Sequence, residues 1–231
     1  MHDLSVVYRR AAASLVVVIG LVACGATPPN AAGLLRQSSQ RMLALKGFHF
    51  EMSITGHRST QVPVQSASGE AHPPDLRASV NLQEGGLLLG LQVVFVNGGT
   101  YLKSFTGGWQ KLSGQQLAQF FDPSALFDRQ TGLFAAMQNT TAPYAGKTET
   151  VSGHDTYPID GVVAASRIHQ LLTPVASQGS FHVTYWIERD NADLWRARLT
   201  GDLFDPAQAS TVTFDFSNHD QPVTVTPPPL G

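Results

Sequence analysis

DLRASVNLQEGGLLLGLQVVFVNGG, residues 75–99, is the stretch on which the fold turns. Asp75–Gln83 alternates through Leu76, Ala78, Val80 and Leu82, the period of a strand with one buried face. Gly85-Gly86 is a hairpin turn signal. Leu87–Val96 alternates only in part. Leu87, Leu89, Leu91, Val93 and Phe95 share one face, but Leu87-Leu88-Leu89 and Val93-Val94-Phe95 are apolar on both. Asn97-Gly98-Gly99 turns the chain again. Two long antiparallel strands with more bulky apolar side chains than one thin core layer needs leave two solutions. Either helices cover them tightly, or the sheet curls around a space that something apolar fills.

Outward from this hairpin the strand pattern continues. Thr100–Phe105 and Trp109–Leu112 complete a meander. Upstream, Phe48–Thr55 alternates cleanly, and a less regular strand is expected near 62–70, in a polar stretch containing Pro63, Pro73 and Pro74. Residues 31–46 place Leu34, Leu35, Ser38, Met42 and Leu45 on one side and Arg36, Gln37, Gln40 and Arg41 on the other, an amphipathic helix with Asn30 as N-cap and Gly47 as stop. The middle reads as short helices: 113–120, one opened by Asp122-Pro123, and Gly132–Gln138. After Pro143, strands are expected at Lys147–Val151, Thr156–Ile159, Phe181–Arg189, Leu194–Gly201 and Ser210–Phe216, with a helix at Val163–Leu172 between them. Their antiparallel runs, without βαβ alternation, predict an α+β fold: a single curved antiparallel sheet, a half-barrel with helices on its concave face.

Composition narrows the function. The 231 residues carry 15 Lys+Arg against 17 Asp+Glu, a net charge of −2, which argues against a phosphate-neutralising nucleic-acid binder. Charged residues are 14%, against roughly 25% in an ordinary soluble domain. One cysteine excludes an intramolecular disulfide framework and a cysteine-cluster metal site. No Gly-x-Ser-x-Gly elbow, HExxH pair or phosphate loop occurs, and His154-Asp155 are strand neighbours that point to opposite faces. No catalytic residue and no metal is expected, and the chain is read as not an enzyme.

The first segment reads as an address. Arg9-Arg10 precede the uncharged run AAASLVVVIGLV, residues 11–22, too short for the ~20 residues of a bilayer span and shaped like a secretory signal. The lone Cys24 follows Leu21-Val22-Ala23, which resembles the bacterial lipobox. That resemblance implies cleavage before Cys24, a diacylglycerol on its sulfur and an N-acyl chain. The expected division is a signal peptide at 1–23, a tether at 24–30 and one domain at 31–231. Removing 1–23 takes away Arg9, Arg10 and Asp3 and leaves 13 basic and 16 acidic residues. The tether reaches only about 20 Å at ~3.5 Å per residue, which holds the domain close to its membrane, on the outer face.

Several blocks together resemble the LppX/LprAFG family of mycobacterial lipoproteins: Leu21–Cys24 with the helix 31–46 and strand Phe48–Thr55; Tyr101-Leu102-Lys103, Trp109, Phe121-Asp122-Pro123 and Asp128–Leu133; Val183–Glu188 with Leu194–Leu199; and Val223–Pro229 as a closing strand and Pro-rich end. The resemblance implies a half-barrel enclosing an apolar cavity that binds multi-acylated lipids or glycolipids and carries them across the cell envelope. A bound acyl lipid is then the ligand and a membrane lipid exporter a candidate partner, with no other cofactor and a monomeric chain. The sequence departs from the family in its short tether and in lacking Trp-Gly within Phe214–His219. Candidate cavity-lining residues are Leu76, Val80, Leu87, Leu89, Leu91, Val93, Phe95, Leu133, Phe134, Met137, Leu171 and Leu172, with Phe120, Phe121 and Phe127 as a candidate portal. The competing expectation is an interaction or signalling lipoprotein with a filled core and no lipid cargo.

Overall fold

The computed structural model describes residues 29–57, 63–104, 106–113, 116, 123–171 and 175–231. Cys24, Phe120, Phe121, Leu172 and most of the expected helix at 113–120 lie outside the described residues. The described residues open with α1 (Ala31–Ala44), then β1 (Phe48–Gly56), β2 (Val64–His72), β3 (Asp75–Glu84), β4 (Leu87–Val96), β5 (Gly99–Ser104) and β6 (Trp109–Leu112). A 3₁₀ turn (Pro123–Phe127) and α2 (Leu133–Gln138) lead to β7 (Thr141–Ala145), β8 (Glu149–Val151) and β9 (His154–Ala164). Last come α3 (Ala165–His169), β10 (Ser180–Glu188), β11 (Leu194–Asp205) and β12 (Gln208–Ser217).

All the strands join one curved, unclosed antiparallel sheet in the order β6-β5-β4-β3-β2-β1-β12-β11-β10-β9-β7, with β8 also paired to β9. The first and last strands meet in its middle, Phe50 opposite Phe216 and Ile54 opposite Val212. Two arms of different chain segments therefore extend from a shared centre. One is the β2–β6 meander; the other runs from β12 to β7. No helix among the described residues is long and apolar enough to cross a membrane.

The helices lie over β7, β9 and β10. Leu35, Met42 and Leu45 from the α1 segment, and Phe134 and Met137 from α2, share one buried cluster with Phe48, Ile159, Tyr185 and Ile187. Asn30 caps α1 through Gly33 N–H, 3.1 Å from its Oδ1. The far end of α1 is latched to the rim. Arg41 Nε donates to Asp193 Oδ1 at 2.8 Å and Nη1 to Asp220 Oδ2 at 3.0 Å, and Asp220 Oδ1 accepts the Lys46 N–H at 3.1 Å. Those donors, the Lys46 amide first and then Arg41, hold the Asp220 carboxyl below its ordinary value. Burial lowers the Arg41 pKa, but its two carboxylate partners prevail and raise it.

Three sequence expectations are corrected. Among the described residues the sheet has 12 strands, one of which, β7, was not expected. β7 was missed because Pro143 sits inside it; β7 is an edge strand with a register irregularity between Thr141 and Tyr144, where a proline is tolerated. The expected helix at Val163–Leu172 is shorter, because Val163 and Ala164 still pair with Phe181 and Ser180 in the sheet. The expected strand at Val223–Pro229 does not form; Pro222, Pro227, Pro228 and Pro229 have no N–H to give a ladder. The tail instead crosses the start of β1, where a Cβ on Gly47 would lie 2.4 Å from the Gln221 carbonyl oxygen.

Candidate functional site

Directly paired residues of antiparallel strands share a sheet face. Starting from the buried Phe48, the register carries the inner face across the meander: Phe48 opposite Ala71, Phe50 opposite Gly69, Met52 opposite Ala67; then Ala71 opposite Leu76, Gly69 opposite Ala78, Ala67 opposite Val80. It continues through Leu76–Phe95, Ala78–Val93, Val80–Leu91 and Leu82–Leu89, and Val93 faces Leu102. The small residues Ala67, Gly69 and Ala78 sit between bulkier neighbours, and Gly69 lies close to β3: a Cβ there would be 2.2 Å from the Arg77 carbonyl oxygen.

Burial along this face falls in one direction. Leu76 (3% exposed) and Phe95 (4%) are packed at the closed end. Ala78, Val80, Leu82, Leu89, Leu91, Val93 and Leu102 are half-buried. Leu87, at the hairpin tip, is 67% exposed. Among the described residues, Val80, Leu82, Leu89, Leu91, Val93 and Leu102 do not pack against the buried core, whereas Phe50, Met52 and Phe214 border it. The result is a strip of apolar inner face, packed at the Leu76–Phe95 end and progressively more exposed toward the β3–β4 tip, the candidate lining of a hollow.

The floor is aromatic. Phe48 meets Phe134 edge-on at 5.9 Å, Phe216 at 5.8 Å and Phe127 at 6.4 Å between ring centroids, and Phe127 lies 6.2 Å from Phe134. Such ring pairs add about 0.5–1.5 kcal/mol each beyond their buried area. Beyond the floor, the second arm is filled. Phe181, Val183, Tyr185 and Ile187 are 0–5% exposed. The Tyr185 hydroxyl donates to Thr140 Oγ1 at 3.3 Å, and Thr140 donates to the Ala136 carbonyl at 3.2 Å. Burial pushes the Tyr185 phenol up to about 12. Gly161 is required where the chain after α2 presses on β9: a Cβ there would lie 2.3 Å from the Thr140 methyl.

The structure divides the candidate residues. Val80, Leu89, Leu91 and Val93 share the half-buried inner face, and Leu87 stands exposed at its tip. Leu76 and Phe95 belong to its closed end. Leu133 is half-buried beside Phe134 and Met137, each 1% exposed, and Leu171 is 6% exposed, all within or against packed protein. Phe127 sits half-buried in the aromatic floor. The candidate list omitted Phe50, Met52, Leu82, Leu102 and Phe214. Their alternation was visible, but the register that turns them inward was not.

Polar groups stand elsewhere. The outer face carries a groove of about 370 Å³ lined by His49, Ser68, Glu70, Arg77, Gln92 and Trp109 among others. At the rim, Trp195 lies between His154, stacked at 3.7 Å, and His219 at 4.6 Å, and Glu188 accepts from the Trp195 indole at 2.9 Å. Burial raises the Glu188 pKa, but its hydrogen bonds from Trp195 and His154 prevail and lower it. Among the described residues no group of three or more His, Cys, Asp or Glu is placed to hold a metal.

Comparison with known proteins adds ancestry to this geometry. The profile of the family described as LppX_LprAFG lipoprotein matches residues 30–225. The chain is 25% identical over 210 residues to the lipoarabinomannan carrier protein LprG of Mycobacterium tuberculosis, covering 90% of this chain and 86% of that one. It is 24% identical over 218 residues to the putative diacylated glycolipid transporter LprF of Mycobacterium bovis, covering 90% and 80%. The fold is shared with the crystal structures of LprF from M. bovis (TM-score 0.68, 23% identity, 88% of this chain and 99% of that one) and of LppX from M. tuberculosis (0.63, 21%, 87% and 100%).

Proposed function

The chain belongs to the LppX_LprAFG lipoprotein family, and from that premise we propose that it holds the acyl chains of a lipid or glycolipid in the hollow and carries them through the cell envelope. The observation that supports this is the run of half-buried apolar side chains, Val80, Leu82, Leu89, Leu91, Val93 and Leu102, which among the described residues have no packing partner in the buried core. Each acyl methylene moved from water to such a lining gains about 0.8 kcal/mol, so chain length dominates affinity. A sugar headgroup stays at the open end, where water still reaches it. The named relatives carry or transport glycolipids, which is the cargo class this hollow suits. Cys24, acylated, tethers the carrier to the outer face of the membrane, and a monomer passes cargo between an exporter and an acceptor. A filled-core interaction module does not account for six inner leucines and valines that, among the described residues, stay outside the buried core.

Among the described residues the buried core lies between Ala31 and Phe216, so a chain of residues 24–231 with Cys24→Ser keeps that core. Expressed in a mycobacterial host, it should release acyl lipids on solvent extraction and show them bound in native mass spectra. The double variant Val80→Phe, Leu91→Trp, which fills the hollow, should fold and come out empty. A wild-type domain free of lipid and unable to take up a fluorescent fatty acid would overturn the proposal.

A further inference from the structure

The lining of the hollow does not account for the β3–β4 tip. Leu87 and Leu88 are each 67% exposed. Leu87 continues the inner face, but Leu88 is its strand neighbour and stands on the outer face. A ribbon that is apolar on both sides exceeds what a one-sided hollow needs.

Three further features single out this tip. It projects: pairing of β4 with β5 stops at Leu91–Ser104, so among the described residues Leu87, Leu88, Leu89 and Gly90 have ladder partners only in β3. It is nearly uncharged: from Ala78 to Leu102, Glu84 is the single Asp, Glu, Lys or Arg in 25 residues. It lies at the open end of the hollow, opposite the rim where Arg41 and Asp220 latch α1. The turn itself is narrow, with Gly85 at φ 57 and Gly86 at φ 82, so the two leucines form the leading edge.

We propose that the β3–β4 tip, Gly85–Leu88, inserts into the interfacial zone of a lipid bilayer and brings the open end of the hollow against the membrane. A flat protein surface covers one face of a ribbon; the headgroup and upper acyl layer surrounds both, and so suits Leu87 and Leu88 together. The scarcity of charge selects a neutral or zwitterionic surface and makes docking insensitive to salt. This inference rests on the carrier function, for which it supplies the loading step: acyl chains leave the bilayer beside Leu87 and run along Leu89, Leu91 and Val93 without crossing water.

The test uses residues 24–231 with Cys24→Ser, phosphatidylcholine vesicles, and a fluorescent fatty acid supplied below its aggregation concentration. The wild-type domain should bind the vesicles equally at low and high salt. Leu88→Asp should weaken that binding by at least about tenfold, since burial of one leucine is forfeited. It should also slow lipid transfer between vesicles while leaving uptake of the dissolved fatty acid unchanged. Tyr144→Asp, at another exposed apolar residue, should change none of these. A Leu88→Cys fluorophore conjugate should report an apolar environment on adding vesicles and be quenched by brominated lipid. Unaltered vesicle binding by Leu88→Asp, binding that demands anionic lipid and vanishes in salt, or self-association through Leu88 in place of vesicle binding would each overturn the inference. Loss of fatty-acid uptake by the wild-type domain instead strikes at the carrier function itself.

Discussion

β4 and β10 carry nearly the same pattern and meet opposite fates. In β10, Phe181, Val183, Tyr185 and Ile187 alternate inward and are buried to 5% exposure or less. In β4, Leu87, Leu89, Leu91 and Val93 alternate inward on the same sheet, and the first is 67% exposed while the other three are half-buried. The difference lies in what stands above them. α1 and α3 sit over β7, β9 and β10, and α2 packs on α1; among the described residues, Leu89, Leu91 and Val93 do not pack against the buried core. One arm of the half-barrel is thus a conventional core that holds the fold together. The other presents a half-buried apolar face, Val80, Leu82, Leu89, Leu91, Val93 and Leu102, that among the described residues stays outside that core.

Substitution should separate the two arms by stability. Ile187→Ala, at a site with 0% exposure, should cost about 2–5 kcal/mol. Leu91→Ala, facing the hollow, should cost under about 1 kcal/mol, with a greater effect on lipid retention than on folding. Urea unfolding of the lipid-stripped domain measures both. Equal losses at the two sites would mean that the hollow is packed after all.

Next in size is the latch that keeps α1 over the filled arm. Arg41→Ala removes two charge-assisted hydrogen bonds and leaves Asp193, whose side chain is 5% exposed, without its cation. A loss of about 2 kcal/mol is expected, with hydrogen exchange rising in α1 and little changed in β3 and β4. The smallest effect is with pH. The folded-state pKa of Asp220 is depressed by the Lys46 amide and Arg41, so its stabilisation is complete above the ordinary carboxylate value and fades as pH falls through the folded one. Its side chain is 43% exposed, which keeps the contribution under about 1 kcal/mol. Between pH 6 and pH 3 the wild-type domain should lose slightly more stability than Asp220→Asn, with faster exchange at the Lys46 amide.

Much of this arrangement was legible along the chain. The period-two runs located β1, β3, β4, β10, β11 and β12, and Asn30 marked the start of α1, because strand alternation and helix capping are local. β7 was hidden by Pro143, which only its edge position excuses. Val163 read as helix because its pairing with Phe181 is a contact across 18 residues of chain. Within the candidate site, Val80, Leu89, Leu91 and Val93 were visible as one face. Phe134, Met137 and Phe95 carry the same apolar signature, and nothing in their neighbours along the chain says that they end in packed core.

The sequence by itself determined that strands alternate, where they turn, that charge is scarce and that a lone cysteine follows an apolar leader, since each depends on residues a few positions apart. The tertiary structure alone decided which apolar face is covered. Coverage depends on register between distant strands and on which strands the helices pack over, and neither is written in the spacing of any one segment.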